Sequence, residues 1–384
     1  DTAHFLAQPS VQNILARISG GAPSIIDGLL QVAGQGAFQP NLFLMNPAGV
    51  LFGAEAVLNL PASLTVTTAD AVGVGEGWFG AVGDHTYASL LGVPSGEFAF
   101  VGERPGSVVN AGNLALTGES AAITLLGGTT VNTGTLSAPG GAITLAAIPG
   151  ENIVRLSQEN SLLSLEMTAV DSGMSASFSG FGLMANSFDD ASAMSEFSPL
   201  DLPALLTHVE QHHATGLSVG DDGSVRLTST GSRIPTAMGD VTASGRLSVE
   251  SAVSEGGQIA VLGDRIGILD AQLLASGAAG GGNIRLGGDY QGLGPLPTAE
   301  RILVDADSAI FADAIAYGDG GRVIVWSDDT TRYAGHTSVR GGQLSGDGGF
   351  VEVSGKVNLD FQGSVEASAP QGASGSLLLD PERI

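Results

Sequence analysis

The chain of 384 residues contains no cysteine. A disulfide framework, a thiol nucleophile and a thiolate metal site are therefore excluded. A small secreted domain would miss its disulfides, whereas a long stack with a continuous core needs none. Basic residues are also scarce. There are 14 Lys and Arg against 39 Asp and Glu, a formal net charge of -25, and Lys356 is the single lysine. Nucleic acid is not an expected partner, because phosphate contacts need a basic stripe. Anionic membrane surfaces are disfavoured on the same ground. No run approaches the ~20 apolar residues of a membrane-spanning helix. The opening Asp1-Thr2-Ala3-His4 has neither the cationic nor the apolar region of a signal peptide. The targeting segment of an exported chain would then lie upstream or have been removed.

Glycine is abundant, with 58 residues, beside a hydrophobic content of 43%. It does not fall at every third position, which excludes collagen, and the apolar content argues against disorder. The acidic surface keeps a long apolar stack soluble and could collect divalent cations diffusely.

One phrase recurs: two small residues, a variable one, then a strand with apolar first and third positions. It reads Gly140-Gly141-Ala142-Ile143-Thr144-Leu145 and returns as Gly256-Gly257-Gln258-Ile259-Ala260-Val261. Further copies begin at Gly281, Gly320 and Gly348, with a weaker one at Ser374. Counted from Gly257, successive second positions lie 25, 39, 28 and 26 residues apart. Val109-Asn110-Ala111-Gly112 likewise recurs as Val131-Asn132-Thr133-Gly134. Between Gln258 and Gly282, alternation gives three strands, Ile259/Val261, Ile266/Ile268 and Leu273/Ala275. Three strands and three turns in about 25 residues make one triangular coil, and such coils are stable only as a stack. The expected fold is all-β, a right-handed parallel β-helix. A propeller needs blades of ~40–50 residues, longer than this repeat.

The rungs blur over about 157–240. There Ser198 to Glu210 reads as a helix, with Asp201 as cap and Leu202, Leu205, Leu206 and Val209 on one face. This stretch is expected to be an excursion outside the solenoid wall, with strands resuming near Val241. Val11, Ile14, Leu15 and Ile18 also have helical spacing, but the stretch is short and Gly20-Gly21 ends it, so strand is expected.

Few residues suggest chemistry. His208 and His212, with Glu210 and His213 between and beside them, could face a zinc ion, but a third ligand is lacking and a solvated surface is the favoured reading. Asp305 and Asp307 are placed on one side of a strand, where they could hold calcium or act as acid and base on a sugar. Isolated solvated carboxylates are favoured, since acids are scattered and lysine is nearly absent. Gly280-Gly281-Gly282 reads as a turn, because no Gly-Lys-Ser/Thr follows. Asn110 and Asn132, one rung apart, are expected to stack as a hydrogen-bonded ladder.

The densest motif is Asn41-Leu42-Phe43-Leu44-Met45-Asn46-Pro47-Ala48-Gly49-Val50-Leu51-Phe52-Gly53. It resembles the secretion domain of two-partner exoproteins of the filamentous-haemagglutinin family, in which an Asn-Pro-Asn-Gly turn joins two apolar strands. The tail, with Gly348 to Gly355 and Leu377 to Pro381, resembles that family's shaft. Ala48 replaces the family's second Asn; Pro47 and Gly49 still suit a type I turn, so only a side-chain contact should be lost. The family's strands and cap ahead of Val11 are expected to be missing here.

The resemblance implies a secretion domain over 1–100 and a β-helical shaft over 101–384. It implies export through an outer-membrane β-barrel transporter, with Asn46, Pro47, Ala48 and Gly49 as the turn read or ordered on the way. A cysteine-free chain suits passage in the unfolded state. The product would be secreted, at the outer-membrane surface of a Gram-negative type cell or beyond it. It would act in adhesion, with surface glycans as possible partners, or in an extracellular fibre built from copies of itself. No catalytic residue, cofactor or metal is expected, calcium being the one weak alternative. The rival reading is a β-helical polysaccharide lyase or hydrolase.

Overall fold

The repeated phrase resolves into one ladder. A computed structural model of the chain describes residues 2–34, 39–83, 87–159, 162–170, 217–219, 225–227 and 238–383. Among these, Ile14, Leu42, Leu64, Ile123, Ile143, Ile259, Ile284, Val323, Val351 and Leu377 are parallel neighbours in that order. All six copies of the phrase occupy the same station of this ladder. We call it the third wall of the coil. The first wall carries Val50, Val108, Thr130, Val241, Ile266, Ile302, Thr331 and Leu359 in register. The second carries Asn113, Thr135, Arg246, Gln272, Ala309, His336 and Ser364. Strands such as Arg265–Leu274 and Arg322–Tyr333 run round a corner, so the walls join into one 26-stranded sheet. The chain is a parallel β-helix.

The core lies inside the coil. Ile259, Val261, Ile266, Ile268, Leu273 and Ala275, the inward positions read from sequence, all belong to one buried cluster that runs the length of the stack. Each such aliphatic side chain contributes roughly 1.5–3 kcal/mol of burial. Asn13–Arg17 is a strand paired with Asn41–Met45, so period-two packing prevails over helical spacing there. Thr2–Ala7, a strand absent from the sequence reading, stacks on Leu29–Gly34.

From residue 46 to residue 329, the corner from the third wall to the first alternates in length along the axis. It is a tight turn at 46–49, an excursion at 68–106, a tight turn at 128 and an excursion at 148–239. Then come a tight turn at 263–264, a loop at 287–298, and tight turns at 328–329 and 356–357. Coils repeat at ~4.8 Å while a packed layer of chain needs ~10 Å, so two coils supply the room that one insertion takes. The loop at 287–298 is also what lengthens one repeat step to 39 residues.

The first two excursions build a five-stranded antiparallel sheet. Its strand order is Gly77–Gly80, Ala71–Val74, Pro94–Phe100, Asn152–Glu159, Leu162–Ala169. Phe98, Phe100, Val154 and Leu165 cover outward-facing residues of the third wall, Met45, Leu126, Ala146 and Ala260, in a second apolar cluster. The chain rejoins the stack at Asp240–Ser248, in register with the coil it left. The helix expected at 198–210, with His208, His212 and His213, lies outside the described residues.

Candidate functional site

Asn46 ends the third-wall strand Asn41–Met45, and Val50–Phe52 opens the next coil on the first wall. The turn between them is closed by the Gly49 N–H donating to the Asn46 carbonyl at 3.0 Å. Asn46 Oδ1 accepts from the Ala48 N–H at 3.1 Å, an Asx turn nested in the backbone turn. Asn46 Nδ2 donates to the Ala22 carbonyl at 3.0 Å and to Ser24 Oγ at 2.8 Å. One side chain thus folds its own corner and fastens it to the coil before. Gly49 has φ 125°, a conformation that favours glycine.

Three of the four turn residues are interior to the wall, and Pro47 is half-buried. Asn46 is 1% exposed and Ala48 4%. The coil after the first excursion seals it: the Gly106 N–H donates to the Pro47 carbonyl at 3.1 Å. A Cβ at Gly106 would lie 2.4 Å from that oxygen, so only glycine allows this approach. Thr68, itself buried, donates to the Gly106 carbonyl at 2.8 Å and closes the mouth of the excursion. The expected turn is present, and Ala48 offers only a buried methyl where the family's asparagine would need a partner.

Sequence reasoning missed two residues. Arg17 Nη1 donates to the carbonyls of Gly80 and Gly83 at 3.1 and 3.0 Å, with its guanidinium 5.7 Å from the Phe79 ring. It ties the edge of the antiparallel sheet to the start of the stack. Glu352 faces outward on the third wall yet is fully buried, near the loop at 287–298. Its carboxylate accepts from the Gln291 N–H at 3.1 Å and from Ser354 Oγ at 3.2 Å. Burial pushes its carboxyl above the ordinary range, against the pull of these hydrogen bonds, and Asp380 adds to the rise.

Other sequence expectations divide. Asn110 Nδ2 donates to Asn132 Oδ1 at 2.7 Å, and Asn132 Nδ2 continues to the Ser244 carbonyl at 2.7 Å, so the asparagine ladder is present and buried. Asp305 and Asp307 are not on a strand: Ala299–Val304 ends before them and both lie in the turn that follows. Asp305 accepts from the Asp270 N–H at 3.0 Å and from Ser308 Oγ at 2.6 Å, which is corner work. Among the described residues, no three His, Asp or Glu converge as metal ligands would.

Comparison with known proteins bears on this turn. A family model described as the TPS secretion domain matches residues 1–195, which contain the turn and the whole antiparallel sheet. The solved structure of the HMW1 secretion domain from Haemophilus influenzae is 18% identical, with a TM-score of 0.47, covering 98% of this chain and 89% of that one. No curated protein matches the chain. The family match spans half of the sequence and holds the turn in which Asn46 fastens two coils. The chain therefore belongs to the TPS secretion-domain family and carries the secretion domain of a two-partner exoprotein, of the class recognised by an outer-membrane transporter and secreted across the Gram-negative outer membrane.

Proposed function

We propose that Asn46, Pro47, Ala48 and Gly49 act while the chain is still unfolded, and that the exported β-helix then serves at the cell surface as an adhesive or fibre-forming shaft. Residues 1–100 would serve export and 101–384 the shaft. The observation that carries the export reading is the burial of Asn46, 1% exposed with both side-chain polar atoms engaged. In the closed coil only Pro47 of this corner stays half-buried, so recognition of the turn's asparagine has to precede closure. Closure outside the cell then buries one coil after another, and each added coil makes return less favourable without ATP.

The shaft reading draws on the uniform stack, whose carboxylates at Asp305 and Glu352 are spent on backbone hydrogen bonds. Such groups hold corners and loops together, and the reading assigns the chain binding and structural work rather than catalysis.

The test is secretion of Asn46→Ala beside the unchanged chain, in Gram-negative cells that carry the matching transporter. The variant is expected to accumulate in the periplasm, while Ala48→Asn, the family's own residue, exports normally. Equal export of Asn46→Ala would contradict the reading. Attachment of the purified chain to host cells or to itself then separates adhesin from fibre.

A further inference from the structure

Outward-facing residues of the first wall form a column in which Arg265, Arg301, Thr330, Asn358 and Arg383 are successive neighbours. A second column beside it runs Gly267, Leu303, Arg332, Asp360. Two adjoining depressions, the larger of about 550 Å³, share Thr330, Arg332 and Asn358. Together they make a shallow groove four coil spacings long, ~19 Å. Gly267 leaves its floor open at one end, and Leu303, 44% exposed, gives the floor an apolar patch.

The charge here runs against the rest of the molecule. Four of the 14 basic residues of a chain with net charge -25 line this one face. Arg265 is held by buried Asp240 at 2.7 Å, and Arg301 by Asp329 at 3.0 Å and Glu300 at 3.3 Å, which fixes both guanidinium groups on the wall and offsets their charge. Arg332 and Arg383 have no acidic partner among the described residues. The nearest in register, Asp360, instead accepts from Gln362 at 2.9 Å. Free planar guanidinium forks match carboxylate and sulfate groups in two-pronged fashion. A diffusing polyanion is repelled by the acidic surface elsewhere and meets two unpaired guanidinium groups along this groove, beside Asp329 and Asp360.

We propose that this groove binds an acidic polysaccharide, laid along the helix axis across the strands. The inference deepens the surface-binding reading above and rests on it. A polysaccharide fits better than a peptide, because the groove crosses paired strands and meets a strand edge only at its Asn358–Phe361 end. Thr330 and Asn358, set between the arginines, supply donors and acceptors for sugar hydroxyls. Leu303 can take the apolar face of a ring.

The test is fluorescence anisotropy of labelled galacturonate hexamer with the full chain at low salt, beside neutral maltohexaose and polyglutamate of equal charge. The galacturonate is expected to bind and the maltohexaose not. Arg332→Glu, an exposed change that leaves the stack intact, should weaken binding by about tenfold or more, as loss of a charged hydrogen-bonded contact implies. Arg104→Glu, exposed at a distant corner, should leave it unchanged. No galacturonate binding, equal binding of polyglutamate, or equal damage from Arg104→Glu would each overturn the groove. If cells still attach to the chain in that event, the adhesin reading stands while the groove falls; if attachment also fails, both fall.

Discussion

Ala142–Ala147 and Pro94–Phe100 contribute to the same apolar cluster, yet one strand belongs to the stack and the other to the sheet that covers it. The stack strand has parallel neighbours from the coils before and after, Ala122–Gly127 and Gln258–Leu262. Its inward residues Ile143 and Leu145 continue a core that runs on in both directions. The sheet strand is antiparallel and local, paired with Asn152–Glu159 and Ala71–Val74 from the two excursions. Its stability comes from the large apolar face against the stack, from a smaller cluster of Ala71, Ala99 and Ile153 on the other side, and from the Arg17 tie at the edge. The stack can therefore exist without the sheet, whereas the sheet's outer face buries only a small cluster around Ala71, Ala99 and Ile153, so the sheet depends on the stack.

The sharpest way to break this asymmetry is Ile143→Asp. An unpaired carboxylate would enter the dry interior with no partner, at a cost of more than ~4–5 kcal/mol. Urea unfolding followed at both regions should show stack and sheet lost together. Phe100→Ala comes next, at ~3–5 kcal/mol, but its cost should stay local. Hydrogen exchange is expected to lose protection in Pro94–Phe100 and Asn152–Glu159 while the coils around Ile284 and Val323 keep theirs. Simultaneous loss in those coils would mean that the sheet supports the stack after all.

A smaller effect is expected at the asparagine ladder. Asn110→Ala strips Asn132 Oδ1 and the Gly112 N–H of partners inside the wall, costing ~1–3 kcal/mol. Adding Asn132→Ala should cost less than the sum, because the two share one bond. The smallest is Glu352→Gln. Burial raises the folded carboxyl above its unfolded value, so the folded chain holds the proton more tightly. The stability this group contributes is present below the unfolded value and is lost as pH rises through the folded one. Glutamine keeps an acceptor for the Gln291 N–H without the charge. It should raise the urea midpoint at neutral pH and lose that advantage in acid.

These differences follow how each region is written in the sequence. The stack was legible because Gly256-Gly257 and its copies repeat a corner that the coil needs at every turn, and because Asn110 and Asn132 recur one rung apart. The corner at Asn46–Gly49 was legible from the resemblance of the 41–53 motif, with Pro47 and Gly49 at positions that suit a type I turn. The sheet left a fainter signal. Leu125-Leu126 and Ala146-Ala147-Ile148 break strict alternation, which is what a strand covered on both faces does. Phe98 and Phe100, two of the chain's few aromatics, alternate as the face of a strand turned toward the stack. Arg17 and Glu352 carried no signal, since each depends on which distant segment arrives beside it. Asp305 misled because it follows a true strand, and the strand stops at Val304.

The central claim is that coils stack in register across the insertion at 148–239. It places Thr135 directly beside Arg246, although the whole insertion separates them in the chain. Neighbours on adjacent strands lie within the ~4.4–6.8 Å between Cα atoms that a disulfide spans. The chain has no cysteine of its own, so a Thr135→Cys, Arg246→Cys double variant starts from a clean background. Mild oxidation should cross-link it nearly completely, whereas Thr135→Cys with Gln362→Cys, several coils away, should not react within one molecule. Failure of the first pair to close, or equal closure of the second, would contradict the stacked β-helix.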